Sequence, residues 1–485
     1  MKPFSTSAPD KYCRLLPRWQ QRPAAGTDAF RRHTEALEAL VATMVDDKRR
    51  VCQHFPPHWP EKLITAGYTY FGQFLHHDLT DDSSSLDEAL RLAPEEIRND
   101  QLPRFDLSNL YGDGPFAGRH TDLYEPRDVR LRVGPKNGAL HSFDLATSNG
   151  SLLSADRRAS ENVILRQMTA FFARLHNIAV EQFRPEAGGE LQKLFARARL
   201  QTSWQFQRLI YEDYLPRVLD PDVYRMVFVE NSPRVQWQTF SIPVEFSAAA
   251  MRFGHSMVRA EYFLSRTSRD LKLLELANRS RDPRSLEPEW AIEWGQFFQN
   301  ASADSQPITV RPLDARITAP LHRLPLPALH VFNLGVPTSL DGTINLPLLT
   351  LLRGSALGLP SGQAAARAFG EPELSEHELT CDCAGVPTAQ GEVLRERGLL
   401  RETPLFFYIL KESEVRAAGN HLGRTGSHIV AEVFHAARRY DPDSYVNRCE
   451  AREAWPQWEL PDGRVACKSL SALFAIASQL NQARR

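Results

Sequence analysis

Three short stretches carry the side chains that could do chemistry. The first is Gly-Gln-Phe-Leu-His-His-Asp-Leu-Thr at 72–80. An imidazole titrates near neutrality, so a buried histidine suits proton transfer or metal ligation. Gln73 and His77 are four apart and share a face if the stretch is helical. His76 and Asp78 each lie about 100° from His77 around such a helix. Adjacent helical residues cannot converge on one ion, so this is not a His-His-Asp metal cluster. It reads as a Gln/His pair offered to a polar pocket and an aspartate offered elsewhere. A satisfied core histidine is the plainer alternative. The second stretch, Arg-Ala-Ser-Glu-Asn at 158–162, puts Arg158 and Glu161 three apart, on one face. Arginine in a first helical turn opposes the macrodipole at about 0.3–1 kcal/mol, which hints at a task; a solvated ion pair is the alternative. The third, Met-Arg-Phe-Gly-His at 251–255, holds a second buried-looking histidine, His255, after three alanines at 248–250. These residues and Gly254 are small enough for a large flat group, or another helix, to approach the backbone. In the loop at 102–112, Asp106 and Ser108 alternate with apolar neighbours. Alternating oxygens suit a hard cation such as Ca²⁺, and equally an Asx-type turn.

These groups need helices to hold them. Tyr70, Phe71, Phe74, Leu75 and Leu79 recur at helical spacing, which predicts a helix over 68–80. Residues 28–46 carry Phe30, Leu37, Leu40, Val41 and Met44 at the same spacing. A long amphipathic helix is predicted from Ser154 or Asp156, as capping residues, through Ile164, Leu165, Met168, Phe171, Phe172, Leu175 and Ile178. Further helices are expected over 199–219, around His255, over 345–357, and in a final block at 405–410, 428–439 and 469–481. The segment 113–150 reads as a surface excursion with short β-like pieces such as 129–133, and 260–340 as irregular. With few alternating β-branched runs, the chain reads as mainly α. The 33 prolines predict long ordered loops between helices.

The 485 residues are enough for one large core, and no internal repeat or clear linker divides them. The simplest division is an N-terminal extension at 1–50 and a catalytic domain at 51–485. A net charge of −1 and no basic stripe argue against nucleic acid as a partner. No window reaches about 18 apolar residues, so no membrane span is expected. The start, Met-Lys-Pro-Phe-Ser-Thr-Ser, lacks an apolar run of signal length, and a reducing cytoplasm is the default location. Cys13, Cys52, Cys381, Cys383, Cys449 and Cys467 are too scattered for a disulfide framework.

Taken in order, the three stretches resemble the animal-type haem peroxidases, the superfamily that includes myeloperoxidase and the cyclooxygenases. Asp-Leu-Ser-Asn-Leu-Tyr-Gly at 106–112 and Leu-Leu-Arg-Gly…Gly-Leu-Pro at 351–360 match as well. The resemblance covers roughly residues 50–440 and looks closest to bacterial single-domain members. It implies a mainly α fold with haem b between a distal and a proximal helix. It makes His255 the proximal iron ligand, His77 the distal proton carrier, Arg158 the distal cation and Gln73 the distal glutamine. Thr350 and Arg353 fall among the haem-binding positions. Asp78, Asp106 and Ser108 match three ligands of a calcium site; Leu102 replaces a threonine there. His76 stands where many members esterify haem through aspartate, so that ester cannot form. Glu161 stands at the other ester position, leaving one link, and Asn162 replaces a sulfonium-forming methionine. Fewer links imply a less oxidising haem, which disfavours chloride oxidation. Thr350 stands where an asparagine orients the proximal histidine. Arg252 stands where the cyclooxygenases carry their radical-forming tyrosine, which disfavours a lipid-radical mechanism. The implied function is heterolysis of hydrogen peroxide with oxidation of a small organic substrate or an easily oxidised halide. The alternatives are a haem oxygenase or dioxygenase acting on one metabolite or fatty acid, and an inactive haem-binding relative.

Overall fold

The structure is a computed structural model. It describes the chain except residues 19–22, 47–63, 117, 137–141, 267, 299–306, 326–341, 449–455, 461–462 and 483–485. The expected boundary at 50/51, Cys52 and Cys449 lie outside the described residues.

The fold is mainly α, as the sequence predicts. Helix α1 spans Asp28–Thr43, and its Thr27 cap accepts from the Phe30 N–H at 3.1 Å. Helix α2, Ala66–Leu79, is buried nearly all round, the mark of a central rather than a surface helix. Helix α3 spans Val163–Phe183 and α4 Leu191–Leu209. A wide π turn at Ile210–Tyr214 continues α4. Phe74 stacks on Phe172 at 5.0 Å and meets Phe206 edge-on at 5.6 Å, which fixes α2 against α3 and α4. Gly72 permits this approach, because a Cβ there would run into the Tyr214 hydroxyl.

Two short helices follow, α5 at Val244–Ala248 and α6 at Gly254–Met257, then α7 at Leu273–Arg281. Helix α8, Leu346–Ala356, starts from the Asn345 cap with Pro347 in its first turn, where a missing N–H costs nothing. Helices α9 (Leu405–Arg416), α10 (Arg424–Tyr440) and α11 (Leu470–Gln482) complete the core. The β content among the described residues is six two-stranded ladders. In one of them, Tyr12–Cys13 pairs in parallel with Ile242–Pro243. In the piece at 129–133, Leu131 bridges Tyr124 and Val133 begins the strand Val133–Lys136, which pairs with Phe143–Leu145.

Two predicted helices are broken. The helix predicted from Ser154 or Asp156 begins at Val163, capped by Asn162, whose side chain accepts from the Leu165 N–H at 2.8 Å. Arg158 lies instead in a separate 3-10 turn, Arg157–Ser160, capped by Asp156. The helix expected around His255 is interrupted at Ala249, where φ is −135° and ψ −67°. Among the described residues no helix is long and apolar enough to cross a membrane. Cys13, Cys381, Cys383 and Cys467 are free thiols.

Candidate active site

A cavity of about 340 Å³ opens between α2 on one side and α5, α6 and α8 on the other. Sites for small molecules and cofactors span about 300–1,000 Å³. Gln73 and His77 both line it, as their four-residue spacing predicts. His76 lines it too, so the cavity wraps further around α2 than a Gln/His face alone. The His76 ring lies 3.1 Å from the Thr80 hydroxyl, and burial followed by the Arg252 charge holds it neutral.

Residues 156–162 adjoin α2 and extend its wall. Gln73 Nε2 donates to Glu161 Oε2 at 2.7 Å, and Asn162 Nδ2 donates to Gln73 Oε1 at 3.2 Å. His77 Nε2 lies 3.7 Å from the same Glu161 oxygen. Burial pushes the Glu161 carboxyl up to about 7, against the opposing pull of the Arg158 charge. Gln73 and Glu161 are therefore hydrogen-bonded, with the His77 ring 3.7 Å from the same carboxyl, which titrates near neutral pH.

Arg158 does more than line the cavity. Its Nε and Nη2 donate to the Asp156 carboxylate at 2.9 and 2.6 Å. Its Nη1 donates to the Thr80 carbonyl at 2.6 Å and Nη2 to the His77 carbonyl at 3.0 Å. These carbonyls end α2, where a helix leaves acceptors unpaired and favours a cation. So Arg158 secures the end of the helix that carries His77. The dipole mismatch expected for it does not arise, because Arg158 lies outside the first turn of α3 and its contacts are with the opposite pole of another helix.

The opposite wall carries His255. Its ring packs edge-on against Phe406 at 6.0 Å. Burial, then the Arg252 charge, pushes its imidazole down to about 3, so it is neutral, the form that ligates metals. Its Nδ1 is buried without a hydrogen-bond partner. Thr350 lines the cavity nearby, but its hydroxyl donates to the Leu346 carbonyl of its own helix at 2.9 Å. A Cβ on Gly254 would meet nothing within 4 Å.

Cations gather at one end of the cavity. Arg353 donates to Ser84 Oγ at 2.7 Å and pairs with Asp82. Arg157 pairs with Asp81 at 3.2 Å. Half-buried Arg252 donates from Nε to the Ser247 carbonyl at 2.8 Å and has no carboxylate within 4 Å among the described residues. Burial lowers it to about 10, so it stays charged at neutral pH. The donor set fits the haem that the resemblance implies. A neutral imidazole faces the cavity, an open strip lies beside Gly254, and an unbalanced guanidinium is placed for a propionate.

Asp78 leaves the cavity, as its position on α2 predicts, and meets the 102–112 loop. It accepts from the Leu107 N–H at 3.1 Å and lies 3.3 Å from Ser108 Oγ. Burial, then the nearby Asp106 charge, pushes Asp78 up to about 8. Arg104 and Arg199 both pair with Asp106 Oδ2, at 2.8 and 3.0 Å. The three expected calcium positions, Asp78, Asp106 and Ser108, are thus brought together with two guanidinium groups beside them. Among the described residues no cluster of three or more His, Cys, Asp or Glu side chains is arranged for a metal.

Sequence reasoning missed several lining residues. Tyr12 reaches the cavity from the N-terminal segment, its hydroxyl 3.4 Å from Asn99 Oδ1. Asp81 and Asp82, which the sequence marks only as the end of a pattern, hold Arg157 and Arg353. The Asp156–Arg158 pair was within reach, since an aspartate two residues before an arginine is a local capping signal.

The family model for animal haem peroxidase matches residues 87–309. Peroxidase mlt-7 of Caenorhabditis elegans is 28% identical over 374 residues, covering 74% of this chain and 47% of that protein. A peroxidase-like protein of Margaritifera margaritifera is 32% identical over 160 residues, covering 30% of this chain and 19% of that protein. The chain thus spans about half, or less, of the length of these curated relatives. Among solved structures, Oryza sativa fatty acid alpha-dioxygenase aligns with a TM-score of 0.63 at 15% identity, covering 99% of this chain and 81% of that one. Peroxidase A from Dictyostelium discoideum aligns with a TM-score of 0.56 at 15% identity, covering 99% and 92%. Identities this low establish the shared fold alone.

Proposed function

We infer that this chain, which belongs to the animal haem peroxidase family, is a haem-dependent peroxidase that heterolyses hydrogen peroxide and oxidises a small organic molecule or an easily oxidised halide. The observation that supports this reading is that His77, Arg158 and His255, far apart in sequence, all line one cavity.

Haem would be held by His255 as iron ligand, by Arg252 and Arg353 at its acidic edge, and beside Glu161, and it would supply the redox chemistry. The protein's own part is proton handling. His77 takes the proton from the near peroxide oxygen and returns it to the far one. Gln73 holds the Glu161 carboxyl at 2.7 Å, and that carboxyl stands 3.7 Å from the imidazole. The Arg158 guanidinium gives that wall a fixed positive charge where negative charge develops on the departing oxygen.

Glu161 stands at the position where the family's second ester forms, so one covalent link at most is expected; acid extraction that releases all haem from native protein would refute a link. A calcium ion at Asp78, Asp106 and Ser108 belongs to the same reading. The principal test is purified protein reconstituted with haem and given peroxide and a reducing dye. Wild type should turn over, and His77→Ala should lose about 10²–10⁴-fold, the range for a positioned acid–base group. Absence of peroxide-dependent turnover with every electron donor tried would refute the function.

One observation favours a second reading, oxygen insertion. The cavity continues into an apolar part lined by Val258, Leu273, Ala277, Leu321 and Leu324, and the fold is shared with fatty acid alpha-dioxygenases. Arg252 in place of a tyrosine weighs against it. Labelled O₂ appearing in product would establish it.

A further inference from the structure

His255 is the one cavity histidine with a ring nitrogen that is both buried and unpartnered. A neutral imidazole that gives Nε2 to a metal carries its proton on Nδ1. Histidine ligands almost always donate that proton to a carboxylate, carbonyl or water, which raises their basicity. Here no side chain or carbonyl among the described residues accepts it. Thr350 faces the site from α8, but its hydroxyl is committed to Leu346. Phe406 covers the ring edge-on and offers no acceptor. The charge that His255 feels most is the Arg252 guanidinium, which is positive and draws electron density away from the ring.

We propose that Thr350 leaves His255 without a hydrogen-bonded partner, so that the bond from its Nε2 to haem iron is weak and releasable. The proposal rests on the haem reading above. With haem held by His255, a strong ligand such as nitric oxide on the ferrous form would release Nε2, whose electron pair would return to the imidazole. No electron is transferred and no proton is lost. With so weakly donating a ligand, cleavage of the peroxide O–O bond would depend on His77 and Arg158. Thr350 is thus a positioning residue, set by which bond its side chain makes.

The test uses the full chain reconstituted with haem, as wild type, Thr350→Asn, Thr350→Val and His255→Ala. Resonance Raman of the ferrous form reads the iron–histidine stretch, and electron paramagnetic resonance of the nitric oxide adduct reads one or two coordinating nitrogens. Wild type and Thr350→Val should share a low stretch and lose the histidine on nitric oxide binding. In Thr350→Asn, whose amide oxygen accepts from Nδ1, the stretch should rise and the histidine stay bound. Haem release from that variant should slow by about 10-fold or more, the lower end of the usual worth of such a partner. The proposal is overturned if wild type keeps its histidine under nitric oxide, or if Thr350→Val lowers the stretch. A folded Thr350→Asn with an unchanged stretch overturns it as well. Should Thr350→Asn fail to fold, the wild-type and Thr350→Val spectra decide alone. Haem bound with an unchanged spectrum in His255→Ala would instead overturn the haem assignment, a distinct result.

Discussion

Replacing Arg158 with methionine separates its two tasks. Methionine keeps much of the length of the side chain and removes the charge and every donor. The Asp156 side chain is 2% exposed and that of Arg158 12%, so the pair is effectively desolvated. Breaking a buried pair by removing one partner costs about 3–5 kcal/mol, because the other charge is left unpaired. The Thr80 and His77 carbonyls also lose their donor. Arg158→Met should therefore destabilise the protein by about 3–5 kcal/mol in urea unfolding at pH 7. Adding Asp156→Asn removes the stranded charge, and the double variant should recover at least half of the loss. Peroxide turnover should fall about 10²–10³-fold in Arg158→Met, as for loss of one transition-state donor, and stay down in the double variant. Stability would thus return while rate does not. A single variant within about 1 kcal/mol of wild type would refute the account of Arg158 as the anchor of α2. Recovery of turnover in the double variant would refute its electrostatic role.

Glu161→Gln tests the raised carboxyl in haem-free protein. Its folded value near 7 lies above the ordinary 4.5, so the fold favours the protonated form. The ionisation penalty is absent below pH 4.5, grows between 4.5 and about 7, and is complete above. The variant should gain up to about 3 kcal/mol over wild type at pH 8 and nothing at pH 4.5; urea midpoints with equal gaps at both would refute this. Calcium should raise the melting temperature of wild type and leave Asp78→Asn unmoved, whereas equal responses would exclude Asp78 as a ligand. Gly72→Ala should cost about 1–3 kcal/mol by overpacking against Tyr214, with part of it restored by Tyr214→Phe; a neutral Gly72→Ala in the same unfolding assay would show that the two elements can separate freely.

What could be read from the sequence was local. The distal helix announced itself because Tyr70, Phe71, Phe74, Leu75 and Leu79 repeat at helical spacing and Gln73 and His77 share a face. The family resemblance placed Arg158, Glu161 and His255, and all three line the same cavity. Helix starts were less legible. Asn162 was read as a replaced methionine rather than a cap, although an asparagine before Val-Ile-Leu is a start signal. The break at Ala249 had no signal, because alanine is a strong helix former and only packing around the cavity turns the chain there. Tyr12 was out of reach for a different reason. Its neighbours in space are far away in sequence: Asn99 is 87 residues on.

The parallel pairing of Tyr12–Cys13 with Ile242–Pro243 has a consequence for biosynthesis. The Leu15 N–H donates to the Glu245 carboxylate 230 residues later, and the Arg14 guanidinium to the Leu357 carbonyl 343 residues later. At about 5–20 residues per second, translation needs roughly 20–70 s to bridge the longer of these gaps. Until then the stretch that sets Tyr12 into the cavity wall has nothing to dock on. Assembly of the pocket is therefore a late event, completed only after residue 357 has left the ribosome.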